Sequence, residues 1–188
     1  MNNIEIWGHQ RSGNHYLAAL VNKNFLHLKD YTVLLGGHNL LEHPIKEKKY
    51  LYIHRNFNDV SKSVFVLKER FGLVVDSYDE FLISKYSDMY HKGLKSKVKF
   101  NTLIESGISE GTSSFFKNIR MTPFKWHKKH ISVSSHAAGK HGNIYLISYD
   151  DIKSKFITEM ERISAFLGIP IVDLQNVEEK VGYMNIGS

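Results

Sequence analysis

Three times along this chain a short run of branched or aromatic residues gives way, within a few positions, to apolar residues at helical spacing. Ile4, Ile6 and Trp7 lead through a glycine turn to Leu17, Leu20, Val21 and Phe25. Tyr50-Leu51-Tyr52-Ile53 leads through Arg55-Asn56 to Val60, Val64, Leu67 and Phe71, and Ile144-Tyr145-Leu146-Ile147 leads to Ile152, Phe156, Met160, Ile163 and Leu167. The short runs read as strands and the longer recurrences as single helix faces. Strands separated by helices predict a parallel sheet, because parallel neighbours need crossover connections that lay helices over the sheet. The expected fold is therefore α/β, a three-layer open parallel sheet with helices on both faces. Tyr31 to Leu35 is a further strand candidate, ending at Gly36-Gly37-His38. Asn56 or Asn58 should cap the second helix and Asp150 or Asp151 the third, which Gly168 and Pro170 bring to an end.

The 188 residues suit one domain with a single core, so 1–188 is read as one unit. The polar stretch from about Lys92 to Thr122 is expected to be a lid or acceptor-side insertion, with disorder as the alternative reading. With no cysteine, a disulfide framework, a thiolate nucleophile and Cys-ligated metal sites are excluded. The start of the chain shows no basic segment followed by an apolar one, and no apolar run approaches the roughly 18 residues of a membrane span. A soluble, cytoplasmic protein without a membrane span is expected. Lys and Arg number 25 against 19 Asp and Glu, a formal charge of +6 that favours an anionic ligand.

Gly8-His9-Gln10-Arg11-Ser12-Gly13 lies between the first strand and the first helix, where backbone N–H groups and a helix N-terminus can cradle an anion. The G-x-x-x-x-G spacing is that of a P-loop, and a tight strand–helix turn is the plainer reading. An NTP-binding P-loop continues with Lys and then Ser or Thr, whereas Asn14 and His15 follow here, which disfavours a metal-dependent NTPase. Arg11 supplies a cation inside the loop.

These residues carry a resemblance. His9-Gln10-Arg11-Ser12-Gly13-Asn14-His15-Tyr16 is similar to the 5′-phosphosulfate loop of the sulfotransferases, Pro-Lys-Ser-Gly-Thr-Thr-Trp, in the style of the soluble, cytosolic-type members. Arg11 stands for the family lysine and Tyr16 for the aromatic beside the adenine. Tyr52-Ile53-His54-Arg55-Asn56-Phe57-Asn58-Asp59-Val60-Ser61-Lys62-Ser63 resembles the family's Tyr-x-x-Arg-Asn-Pro-x-Asp-x-x-x-Ser signature. That resemblance implies that Arg55 and Ser63 bind the 3′-phosphate of 3′-phosphoadenosine 5′-phosphosulfate (PAPS). Ser148-Tyr149-Asp150-Asp151-Ile152 is similar to the family's Tyr-Glu-Asp-Leu step, with Phe166-Leu167-Gly168 matching the end of its helix, which places Tyr149 against the adenine.

The implied reaction is sulfuryl transfer from PAPS to an acceptor hydroxyl or amine by in-line displacement, with no metal. Gly8, Arg11, Ser12, Gly13, Asn14, His15 and Tyr16 would hold the 5′ end of the donor, and Arg11 with the loop amides would stabilise the leaving phosphate. Arginine stays charged, so Arg11 would act electrostatically. An alcohol acceptor needs a base, for which histidine suits neutral pH. By resemblance to the family's Thr-His-Leu-Pro step, Gly37-His38-Asn39-Leu40 makes His38 the choice, with His43 and His15 as rivals. The expected partner is a small-molecule or glycan acceptor and not nucleic acid.

The chain departs from the family where Phe57 replaces proline, and where no arginine follows Gly168 to match the Arg-Lys-Gly loop that closes over the 3′-phosphate. Lys180 is the only cation there. His127-Lys128-Lys129-His130 reads as a solvated helix face, Trp126 as core or as the tryptophan that packs behind the active site in several sulfotransferases, and the run Lys92, Lys95, Lys97, Lys99 as hydrated surface. The alternatives are a divergent P-loop kinase or NTPase, a basic polyanion-binding or nucleic-acid-binding module, and a non-catalytic remnant of the sulfotransferase fold.

Overall fold

Four strands, β1 (Asn2–Trp7), β2 (Tyr31–Gly37), β3 (Lys49–His54) and β4 (Ile144–Ser148), form a parallel sheet in the order β2-β1-β3-β4. They are seen in a computed structural model that describes residues 2–25, 31–95 and 115–177. Among the described residues the α-helices are α1 (Asn14–Asn24), α2 (Phe57–Val66), α3 (Tyr78–Ile83), α4 (Tyr86–Lys95), α5 (Pro123–Lys140), α6 (Tyr149–Ser154) and α7 (Phe156–Leu167). None of the described helices is long and apolar enough to cross a membrane.

Packing divides the chain into two compact units, Met1–Asn56 with His130–Ser188, and Phe57–Lys129. In the first unit the strand pleat sends alternate residues to opposite faces. Ile4, Ile6, Leu51, Ile53 and Ile147 pack with Leu17 and Leu20 of α1 and Met160 and Ile163 of α7. On the other face Tyr50, Tyr52 and Ile144, with Trp7 and Leu146, pack on Ala137 of α5. Helices thus cover both faces, as the alternating pattern predicts. Each buried Ile or Leu contributes about 1.5–3 kcal/mol, so the sheet is held chiefly by these two layers. Glu5 also points to the second face, where Lys48 and the Trp7 indole N–H (3.0 Å) satisfy its carboxylate.

Strand order reverses at β1. The chain leaves β1 for β2 on one side and returns to β3 on the other, so the C-terminal ends of β1 and β3 flank a topological switch point, where open α/β sheets bind ligands. The glycine loop and Arg55-Asn56 leave the sheet there, with Trp7 paired to Tyr52.

The helix expected after Ser148 differs from the reading in two ways. Its cap is Ser148, whose Oγ accepts from the Asp151 N–H (3.3 Å), instead of Asp150 or Asp151. It also breaks at Lys155 (φ −131°, ψ 42°) into α6 and α7, and both Ile152 and Met160 stay in the core. Gly168 ends α7 in the left-handed conformation, as expected. The second helix starts at Phe57, directly after Asn56, but stops at Val66; Leu67 lies in a turn and Phe71 in a 3-10 turn.

The second unit has its own aromatic core, in which Phe81 and Phe116 flank Tyr86 at ring separations of 5.9 and 4.4 Å. Ser77 caps α3 by accepting from the Glu80 N–H (3.1 Å), and Lys92 of α4 pairs with Glu80 at 2.6 Å. Most of the expected 92–122 lid, residues 96–114, lies outside the described residues; its flanks are the end of α4 and a 3-10 turn, Phe115–Asn118.

Two glycines give a matched test of this packing. A Cβ on Gly36 would fall 1.8 Å from the Trp7 Nε1, whereas one on Gly139 of α5 meets nothing within 4 Å. Urea unfolding should show Gly36→Ala destabilising by about 1–3 kcal/mol through forced repacking, and Gly139→Ala stabilising by about 0.4–1 kcal/mol through the unfolded chain. Equal effects of the two would contradict the placement of Trp7 across β2.

Candidate functional site

The glycine loop is shaped by three backbone constraints. A Cβ at Gly8 would collide with the Ile53 carbonyl at 2.4 Å, so the loop starts hard against the end of β3. Arg11 has φ 67°, the only positive φ of a non-glycine among the described residues, a conformation that costs about 1–2 kcal/mol. Gly13, at the N-cap of α1, has φ 105°, and a Cβ there would lie 2.6 Å from the Tyr149 Cδ2. The helix that follows has no side-chain cap and no acidic residue in its first turn, so neither offsets the partial positive charge of its N-terminus.

Buried side chains in and next to this loop carry polar atoms with no hydrogen-bond partner among the described residues. Gln10 is 3% exposed and neither end of its carboxamide is paired among the described residues; the Ser12 hydroxyl (1% exposed) and the Asn14 Oδ1 are in the same condition. Each such group costs about 1–3 kcal/mol, so the loop keeps hydrogen-bonding capacity that the fold itself leaves unused.

His38 reaches this loop from the end of β2. Its Nδ1 lies 3.0 Å from the Gly8 carbonyl, which can only accept, so this contact is a hydrogen bond in the tautomer that carries the proton on Nδ1 and leaves the lone pair on Nε2. Asn14 Nδ2 lies 3.3 Å from the same Nδ1. Burial pushes the His38 imidazole below the ordinary histidine range, opposed by the Gly8 carbonyl and assisted by the Arg11 charge. His15 is lowered as well, by burial and by the charges of His38 and Arg11. His15, His38 and Arg11 are thus one electrostatic group, whereas His43 is exposed.

Tyr149, the first residue of α6, links the loop to Arg55. It packs against Gly13 on one side, and the Arg55 guanidinium lies 4.5 Å from its ring centroid. The Tyr16 ring stands 5.6 Å from that of Tyr149, with Lys153 Nζ 5.5 Å from the Tyr16 ring, and the Tyr16 hydroxyl donates to Asn176 Oδ1 (2.9 Å). The structure therefore gathers Gly8, Arg11, Ser12, Gly13, Asn14, His15, Tyr16, His38, Arg55 and Tyr149 in the first unit. Ser63 belongs to the second unit, half-buried on α2.

Lys153 and Asn176 had no motif to announce them. The segment carrying Asn176 is strapped to α1 by the buried Asn24, which donates to the Gln175 carbonyl (2.9 Å) and accepts from its N–H (2.7 Å). A second omission lies behind the loop. His130, expected on a solvated face, is 1% exposed and hydrogen-bonds the Tyr52 hydroxyl at 2.6 Å. Its ring meets His9 edge-on at 5.1 Å, and His9 Nδ1 donates to the Gln10 carbonyl (2.8 Å). His130, Ser134 and Ala137 share one buried face of α5, and the polar histidine and serine hide its period in the sequence. His127 is buried too, edge-on to Phe57 at 5.5 Å in the second unit, where Trp126 is also buried. Among the described residues no three potential ligands cluster to hold a metal.

A profile described as the sulfotransferase domain matches residues 36–185. The match takes in His38, Arg55, Ser63 and Tyr149 and begins after the glycine loop. Among solved structures, the mouse sulfotransferase SULT7A1 complexed with PAP is similar at 16% identity and TM-score 0.54, over 92% of this chain and 60% of that one. Retinol dehydratase, in complex with androsterone and inactive cofactor PAP, is similar at 14% identity and TM-score 0.50, over 94% of this chain and 61% of that one. The chain thus spans about three fifths of the length of these relatives, and the likeness to them is one of fold. No curated protein sequence matches it. With the domain profile covering most of its length, on an α/β sheet of the same architecture, this chain belongs to the sulfotransferase family.

Proposed function

We propose that the protein transfers a sulfuryl group from PAPS to a hydroxyl or amine of a small-molecule or glycan acceptor, with 1–188 acting as one sulfotransferase-like domain. The observation that carries this reading is the position of Tyr149, in contact with Gly13 of the loop and stacked under Arg55, at the switch point between β1 and β3. One aromatic ring thereby ties together the two segments that would hold the 5′ and 3′ ends of a doubly phosphorylated adenosine. The loop suits that ligand: a helix start with no side-chain cap and no acidic residue in its first turn, Ser12 and Asn14 with polar atoms unused among the described residues, and two glycines where a side chain would collide with Ile53 and Tyr149. The structural relatives named above hold PAP, the product that such a transfer leaves behind.

The donor supplies an activated sulfuryl group on a phosphate that departs with the bonding electrons. As the bridging S–O bond breaks and the acceptor bonds to sulfur, charge grows on the leaving phosphate. Arg11 and the N–H groups at the start of α1 are arranged to stabilise it without reorganising. His38, with Nδ1–H held by the Gly8 carbonyl, offers Nε2 to take the acceptor's proton. Burial and Arg11 keep that imidazole neutral, which is the state a base needs. Arg55 binds the 3′-phosphate, Tyr149 and Tyr16 support the adenine, and His15 and the loop backbone from Gly8 to Gly13 shape the 5′ end.

Two measurements test this. Calorimetry should show PAP binding to the wild-type chain and about 10-fold or greater weakening in Arg55→Ala, the loss of a charge-assisted pair worth about 1.5–3 kcal/mol. Absence of binding to the wild type would remove the donor from the account. With an acceptor drawn from a screen of phenols, alcohols and sugars, His38→Asn should lower kcat by about 10²–10⁴ while PAP affinity holds. Because the base must be deprotonated and its pKa is lowered, the acid limb of kcat/KM should fall below pH 6.5; a limb at or above the ordinary histidine value speaks against His38.

A further inference from the structure

The second unit holds a feature that the glycine loop and its partners do not use. Between the first turns of α4 and the 3-10 turn Phe115–Asn118 lies an open cavity of about 230 Å³, lined by Lys85, Lys117 and Arg120, with Asp88, Ser87 and Asn118 among its polar walls. Its floor is firm. The Tyr86 N–H bonds the Met121 carbonyl (3.1 Å) and the Ser87 N–H bonds the Ile119 carbonyl (3.0 Å), while the buried Tyr86 and Phe116 rings sit 4.4 Å apart beneath.

Charge is what sets this cavity apart. Three cations face one carboxylate, and Asp88 is taken up by the Ser87 hydroxyl at 3.3 Å. Lys85, Lys117 and Arg120 make no ion pair among the described residues, although Lys92, on the same helix as Asp88, is paired with Glu80. Like charges converging on a concave surface repel one another and focus a positive potential into it, and an anion relieves both effects. Arginine adds a planar fork that fits two oxygens of a sulfate or phosphate, and the Asn118 amide can complete the shell. The volume is below the roughly 300 Å³ at which small-molecule sites begin, so it suits a single anionic group and not a second nucleotide.

We propose that this cavity is a subsite for a tetrahedral oxyanion, a sulfate or phosphate ester group, held by Lys117 and Arg120 with Lys85. This anion site lies within the second unit and does not depend on the sulfotransferase reading given above.

The test is an NMR titration of the full chain with sodium sulfate at constant ionic strength, with saturating PAP present to occupy the loop. Amide shifts at Ser87 and Asn118 should saturate, and Lys117→Ala/Arg120→Ala should weaken sulfate binding at least tenfold without changing PAP affinity. Asp88→Asn should tighten sulfate binding several-fold by removing the one opposing charge. Tighter binding of glucosamine 6-sulfate than of sulfate, with none of glucosamine, assigns the subsite to an esterified ligand; equal binding assigns it to the free ion. Sulfate affinity unchanged in the double variant, or shifts confined to the Gly8–His15 loop, overturns the proposal. Failure of the wild type to bind PAP would instead remove the donor reading and leave the cavity titration readable.

Discussion

The contact between Gly13 and Tyr149 is the constraint on which the site depends. Gly13 must adopt a left-handed conformation to turn the loop into α1, and the aromatic ring occupies the space a side chain would take. That ring then forms the platform for Arg55, a cation–π pair worth about 0.5–2 kcal/mol. Parallel pairing of β1 with β3 brings the two chain segments to the same end of the sheet, and pairing of β3 with β4 brings Tyr149 there as well. Sheet order thus determines which residues meet, and one glycine determines how closely.

Around that point the chain stores unfavourable local terms that a bound anion would relieve. Arg11 sits in a left-handed conformation, α1 begins without a cap, and the Gln10, Ser12 and Asn14 side chains are buried with unpaired atoms. Natural folds tolerate such terms where surrounding structure enforces them, and they concentrate at ligand sites. The enforcing structure here includes the buried Tyr52, His130 and His9 behind the loop, together with the Asn24 strap that positions Asn176 on Tyr16. His38 is fitted into the same arrangement through its contact with the Gly8 carbonyl.

Much of the fold was legible because its signals are local. Strand runs such as Tyr50 to Ile53 and the stripe from Ile152 to Leu167 announce their period directly, and Gly168 announces a stop. The break at Lys155 is not legible, since the apolar stripe runs through it unchanged, and Ser148 stands beside two aspartates whose side chains are equally good caps by type. In the site, glycines and arginines at strand ends were visible as motifs. His130 was not, because burial beside a tyrosine and a histidine is a tertiary fact that a Lys-rich neighbourhood conceals. Lys153 and Asn176 owe their positions to the ring of Tyr16, more than a hundred residues away in sequence, so no spacing rule could find them.

A crystal structure of the complex with PAP tests the central claim most directly. The account predicts the 5′-phosphate against the backbone from Gly8 to His15, the 3′-phosphate on the Arg55 guanidinium, and the adenine beside Tyr149. A nucleotide bound away from the ends of β1 and β3, or one whose phosphates touch neither the loop nor Arg55, would contradict it.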